Sequence, residues 1–250
     1  MSMAHVYHED ISIVSPLTRA HIPSMATPKR ILMIVTSHAE LGNTSTKTGF
    51  WLEELAAPYL EFKQQGIELD IASPAGGKPP ADPKSASDPT PAVRAFLDDA
   101  QASAKLENTL RLSDVTAAYD AYFVVGGHGV MWDLSQDATL SALLAQAYER
   151  GNVVAAVCHG PAALVDVKLN NGRYLVDGKR VAAFTNAEEA AVGLDGVVPF
   201  ALESKLKERG AKHEAAPMWS VFAVRDGKLV TGQNPASSVA VAKATLEALS

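Results

Sequence analysis

A single cysteine stands in 250 residues, and that scarcity is the first constraint on the chain. A lone thiol builds neither a disulfide framework nor a thiolate-rich metal cluster. Long apolar runs are missing as well: no stretch reaches the roughly 18 to 20 residues that a membrane-crossing helix needs. Lys and Arg number 22 against 28 Asp and Glu, giving a net charge of -6 without a long basic run. That balance argues against a nucleic-acid partner. No GxGxxG turn or GxxxxGK[ST] loop occurs, so no dinucleotide or ATP is expected; without HExxH spacing no metal or other cofactor is expected either, though His38, His128 or His159 with a carboxylate stays open as a zinc ligand set.

The N-terminal 28 residues lack the basic start and apolar run of a secretory leader, and only Arg19 is basic before Met25. Residues 1–28 therefore read as a flexible extension, with Met25 a candidate start and a cytoplasmic location expected. The histidines His5, His8, His21, His38 and His213 are scattered. What is abundant is apolar character, at 47% of residues. A chain of this length buries about three quarters of its extended surface and holds a core without covalent staples. Stability thus gives the one cysteine no reason to exist.

Residues 29–250 read as one α/β domain. Runs 31–35 (ILMIV), 121–125 (AYFVV) and 153–157 (VVAAV) are apolar without alternation, as in strands buried on both faces of a parallel sheet. Residues 48–65 carry a helical stripe, with Pro58 expected to kink or break it. Residues 67–72 form the next strand. The stretch 73–91 is rich in Pro, Gly, Ser and Asp and is expected to lack regular structure. Further helices are expected over 93–100, 139–150, 160–167, 188–192, 201–209 and 239–249, with a strand over 179–184. Asp226-Gly227 between apolar runs marks a hairpin. Alternation of this kind, with no linker, predicts a three-layer sandwich around a mostly parallel sheet.

The stretch from Val153 to Ala162 (VVAAVCHGPA) carries the most chemistry. An apolar strand runs into Cys158, then into small residues and Pro161, the plan of a nucleophile elbow. A following helix N-terminus would favour thiolate over thiol. Free cysteines often pack as small hydrophobes, but a burial position has no need to end the strand there. His159 is the adjacent base or orienter, and Glu188 or Glu189 could hold its second nitrogen. Glu54 lies beside Trp51 and Leu55, where burial would raise its pKa and let it donate to the sulfur; the plain alternative is a solvated helix residue. Gly126-Gly127-His128-Gly129 follows a buried strand and offers backbone N–H groups to an oxyanion.

These residues also carry a likeness. AVCHGPAAL at 156–164, GGHG at 126–129, TGFWLEELAAPY at 48–59, FTNAEEAAVG at 184–193 and VTGQNPASS at 230–238 resemble the ThiJ/PfpI superfamily, and within it the heat-shock-type glyoxalase III (D-lactate dehydratase) proteins. The likeness spans about Arg30 to the end. It implies a flavodoxin-like sandwich, Cys158 as nucleophile, His159 as its partner, Glu188 completing the triad and Glu54 as a protonated carboxyl at the sulfur. It further implies oxyanion donors at Gly127 and His159; His128 and Trp132 are expected beside them at the substrate, with Trp132 and the 73–91 stretch setting the pocket size. The implied reaction is cofactor-free conversion of methylglyoxal and related 2-oxoaldehydes to D-lactate or 2-hydroxy acids through a cysteine hemithioacetal. The extension before residue 25 departs from the family pattern.

Family members also imply rival readings: a holding chaperone or deglycase acting on misfolded or glycated proteins, a cysteine peptidase using the same triad, and a homodimeric assembly. An exposed, ionised thiol would also oxidise readily to sulfinic acid. A glutamine amidotransferase expects its late His and Glu one residue apart, whereas His213 and Glu214 are adjacent.

Overall fold

The computed structural model describes residues 28–116 and 118–250; the expected extension, its histidines and Met25 lie outside the described residues. Seven strands form the main sheet: Arg30–Ile34 (β1), Glu68–Ser73 (β2), Leu110–Arg111 (β3), Ala121–Val124 (β4), Val153–Val157 (β5), Ala223–Asp226 (β8) and Leu229–Gly232 (β9). Their order is β3-β2-β1-β4-β5-β9-β8. Every pairing is parallel except β8 with β9, the hairpin that turns at Asp226-Gly227. Arg180–Val181 (β6) and Lys212–His213 (β7) form a separate two-stranded pair. The interior of β1, β4 and β5 is wholly buried, as their unbroken apolar runs require.

Leu52–Gln64 (α1) connects β1 to β2, and Ala138–Glu149 (α5) connects β4 to β5. The two crossovers run in opposite directions along the sheet. With both right-handed, the helices fall on opposite faces. The result is a flavodoxin-like α/β sandwich. Ser238–Leu249 (α8) packs on α1, β5 and β9, completing one helical layer. The chain reverses direction between β1 and β4, and ligand sites in such sheets lie beyond the strand C-termini at that point.

Four local expectations are corrected. Pro58 does not break α1, which continues through it. Leu55, Ala56, Tyr59 and Phe62 on the same helix are buried. At about 1.5 to 3 kcal/mol for each large apolar side chain, that burial outweighs the roughly 3 kcal/mol cost of proline. The stretch 73–91 contains a short helix, Pro83–Ser87 (α2), and the start of Pro91–Asp98 (α3). Asp82 and Thr90 cap their N-termini and Pro83 and Pro91 sit at the first helical position, so these prolines begin helices. A further helix follows at Ala100–Glu107 (α4).

Downstream of Cys158 the expected α-helix is only a 3₁₀ turn, Gly160–Leu164. The strand expected over 179–184 pairs only at β6; beyond it the Ala182 N–H donates to Thr231 Oγ1 and the Phe184 N–H to the Cys158 carbonyl. Asn186–Ala191 (α6) and Leu202–Glu208 (α7) then complete the element list.

Candidate active site

The elbow at Cys158 is present. β5 ends at Val157, the Cys158 N–H donates to the Gly232 carbonyl at 2.9 Å, and Cys158 itself adopts φ 59. A non-glycine residue in the left-handed region carries backbone strain, and here the strain turns the sulfur away from the strand direction. Neighbouring glycines make room for that turn. A side chain at Gly126 would begin 2.4 Å from Glu54 Oε2 and 2.5 Å from the Val157 carbonyl. Gly127, at φ 106, would collide with the Gly49 carbonyl.

Cys158 Sγ lies 3.4 Å from His159 Nδ1, and His159 Nε2 donates to Glu189 Oε2 at 2.8 Å. With its hydrogen on Nε2, the imidazole presents a bare Nδ1 to the sulfur. The second oxygen of Glu189 accepts from His128 Nε2, also at 2.8 Å. Burial and the neighbouring His128 push the His159 pKa down to about 4, so the ring is neutral at physiological pH. Burial opposes ionisation of Glu189, but hydrogen bonds from His128 and His159 more than offset it and hold the carboxyl near 2.

This geometry corrects the assignment of Glu188. Its carboxylate does not face His159. Thr185 and Glu188 form a reciprocal capping box at the start of α6, and the remaining Glu188 oxygen accepts from the Trp219 N–H, Gln233 Nε2 and Asn234 Nδ2 at 2.9, 3.1 and 2.9 Å. The signal was present in the sequence: Thr185-Asn186-Ala187-Glu188 is a capping-box signature, which commits Glu188 to the helix start and frees Glu189.

Glu54 is fully buried in the first turn of α1, against the sulfur. Burial raises its pKa to about 8, with the Cys158 side chain and the Gly126 amide pulling weakly the other way. Neither carboxyl oxygen makes a hydrogen bond of ordinary geometry. Burial also pushes the Cys158 thiol well up, and a charged Glu54 beside it would push it further. The lowering of the thiol pKa expected from a helix start is opposed here by burial. A short 3₁₀ turn supplies little dipole, and burial opposes placing two anions side by side at Glu54 and Cys158.

Cys158, His159, Gly127 and His128 floor a cavity of about 340 Å³, walled by Trp51, Phe184, Val192, Trp219 and the 234–236 segment. The Gly127 and His159 N–H groups donate to no backbone carbonyl among the described residues. Trp132 is not in the lining; it stacks on His38, with ring centroids 5.3 Å apart. Trp51 and Trp219, which sequence reasoning did not single out for the substrate, take the place expected of it. Trp219 is also strained, at φ 65, and is held there by Glu188. The 73–91 stretch contributes Lys84, Ser85 and Asp88 to an adjoining cavity that shares Trp51 and Pro235 with the first. Side-chain donor atoms of His128, His159 and Glu189 lie within 4.8 Å of one another, a grouping their sequence spacing does not reveal.

Comparison with known proteins gives concordant findings. The profile of the DJ-1/PfpI family matches residues 45–248. The glutathione-independent glyoxalase HSP31 of Saccharomyces cerevisiae is 32% identical over 243 residues, covering 89% of this chain and 98% of its own length. Among solved structures, the Rapid Encystment Protein of Francisella tularensis is 41% identical with a TM-score of 0.86, covering 89% of this chain and 99% of that one. Glyoxalase III of Candida albicans is 28% identical with a TM-score of 0.80, over 88% and 97% of the two chains.

Proposed function

Since the chain belongs to the DJ-1/PfpI family, and within it to the glyoxalase III type of enzyme, we propose that it converts methylglyoxal-like 2-oxoaldehydes to 2-hydroxy acids without glutathione, through a hemithioacetal on Cys158. One observation carries the mechanism: a strained cysteine whose sulfur faces the bare nitrogen of a neutral, carboxylate-anchored imidazole at the floor of a small cavity.

The thiol gives its proton to His159 Nδ1 as the sulfur adds to the aldehyde carbon. The new oxyanion is met by the N–H groups of Gly127 and His159, neither of which is taken by a backbone carbonyl among the described residues. Glu54, protonated below about pH 8, stays neutral beside the sulfur and adds no opposing charge. His159 hands that proton to the oxyanion and, neutral again, takes the proton from the former aldehyde carbon; it then delivers it to the neighbouring carbon of the enediolate as the hydroxyl proton passes from the first carbon's oxygen to the second's. The product of that shift is a 2-hydroxyacyl thioester. Water cleaves it, restoring the thiol and releasing the 2-hydroxy acid. Glu189 keeps the His159 hydrogen on Nε2 throughout and stabilises the transient imidazolium.

Cavity size and lining support a small substrate. A cavity of about 340 Å³ lined by Trp51, Phe184 and Trp219 suits a short oxoaldehyde. Cys158→Ala is expected to lower D-lactate formation from methylglyoxal, without glutathione, by at least about 10³-fold while leaving the thermal melt intact. Near-native turnover in that folded variant would overturn the covalent route.

A second reading, client holding, has one observation in its favour: Met218, Trp219 and Val221 form an exposed apolar cluster in one short segment. Suppression of client aggregation that persists in Cys158→Ala would support holding as a separate activity.

A further inference from the structure

Glu189 does more than anchor His159. Its two oxygens are met from two sides by imidazole nitrogens, each at 2.8 Å, and the two rings stand with centroids 4.0 Å apart. His128 comes from the turn after β4, His159 from the elbow after β5 and Glu189 from α6, so the sheet gathers the three side chains at one point. We propose that His128, His159 and Glu189 bind one zinc-class divalent cation, and that this cation reversibly shuts the site by taking the base away from Cys158.

The geometry suits such an ion. Zinc holds imidazole nitrogen and carboxylate oxygen at about 2.0 to 2.2 Å, which sets tetrahedral ligands about 3.4 Å apart. Here each imidazole nitrogen lies 2.8 Å from a Glu189 oxygen, and the three donor atoms are all within 4.8 Å of one another. Two imidazoles and one carboxylate also make a borderline donor set of the kind zinc prefers to calcium or magnesium. His128 and His159 line the cavity, so a fourth position is reached from that side.

Proton bookkeeping is neutral. At rest each Nε2 hydrogen is donated to Glu189. On binding, each ring moves its hydrogen to Nδ1, and none is gained or lost. His128 Nδ1 has no protein partner among the described residues, and His159 Nδ1 faces the sulfur. Once it carries a hydrogen, His159 Nδ1 is a donor to the sulfur and no longer accepts the thiol proton. The sulfur is on the far side of the ring and is not a ligand.

Zinc titration of the metal-free full chain by calorimetry tests the site. One equivalent should bind, at least about tenfold more weakly in His128→Ala and Glu189→Gln, and should still bind in Cys158→Ala, which removes only the acceptor at His159 Nδ1. Cobalt bound to the wild type should give a tetrahedral spectrum without a thiolate charge-transfer band, a readout that needs no variant to fold. Zinc should also stop lactate formation, and EDTA should restore it. Binding of undiminished affinity in His128→Ala, loss of binding in Cys158→Ala, or a thiolate band would overturn the proposal, as would no binding at all. The inhibitory effect rests on the function proposed above; a chain that makes no lactate would sink that function, while calorimetry would still decide the site.

Discussion

Glu188 and Glu189 are adjacent in sequence and differ in every contact they make. Glu189 holds two imidazoles, whereas Glu188 ties the α6 cap to the Trp219 and Asn234 walls of the cavity. Glu189→Gln should lower kcat for lactate formation by about 10²-fold or more with little change in melting temperature. Glu188→Gln should act mainly on KM and on stability, because it loosens the strained Trp219. Steady-state kinetics and thermal melts on both variants check this; the reverse pattern would restore Glu188 to the triad. The titrations add a second expectation. Lactate formation requires neutral His159, so kcat/KM should fall as pH drops toward about 4, and it requires protonated Glu54, so it should fall as pH rises past about 8. Glu54→Gln, which cannot ionise, should lose the alkaline limb in a pH–rate profile.

At the scale of elements, the close approach of the β4 and β5 termini sets the site. Gly126 allows the Glu54 carboxyl and the Val157 carbonyl to come where a side chain would otherwise stand. Gly126→Ala should therefore lose lactate formation and melt lower, whereas Gly196→Ala, with nothing within 4 Å of its added carbon, should match the wild type in both measurements. Helix starts were readable in principle from Asp82-Pro83, Thr90-Pro91 and Thr185-x-x-Glu188, each a side-chain cap at the head of a helix. The persistence of α1 through Pro58 was not readable, because the burial that outweighs the proline comes from strands and helices distant in sequence.

For the whole molecule, a carboxyl buried without ordinary hydrogen bonds is a stability liability with a definite sign. Folding raises Glu54 from 4.5 to about 8, so the folded state binds its proton more tightly than the unfolded one. Stability from this group is complete below about 4.5 and is lost as pH rises toward 8. Chemical denaturation at pH 5 and pH 8 should show the wild type losing ground to Glu54→Gln over that interval; a constant difference between the two proteins would refute the buried-acid assignment. The sequence by itself determined the parallel sheet, the elbow at Cys158 and the hairpin at Asp226-Gly227, because apolar runs, small residues and turn residues act over a few positions. It also marked His159 as a neighbour of the sulfur, while the place of Glu54 beside it came only with the family resemblance. Only the tertiary structure decided that Glu189 anchors His159, that Trp51 and Trp219 wall the cavity in place of Trp132, and that burial beside Glu54 pushes the thiol pKa up. Each of those depends on groups brought together from separate strands and helices, and on the loss of water where they meet.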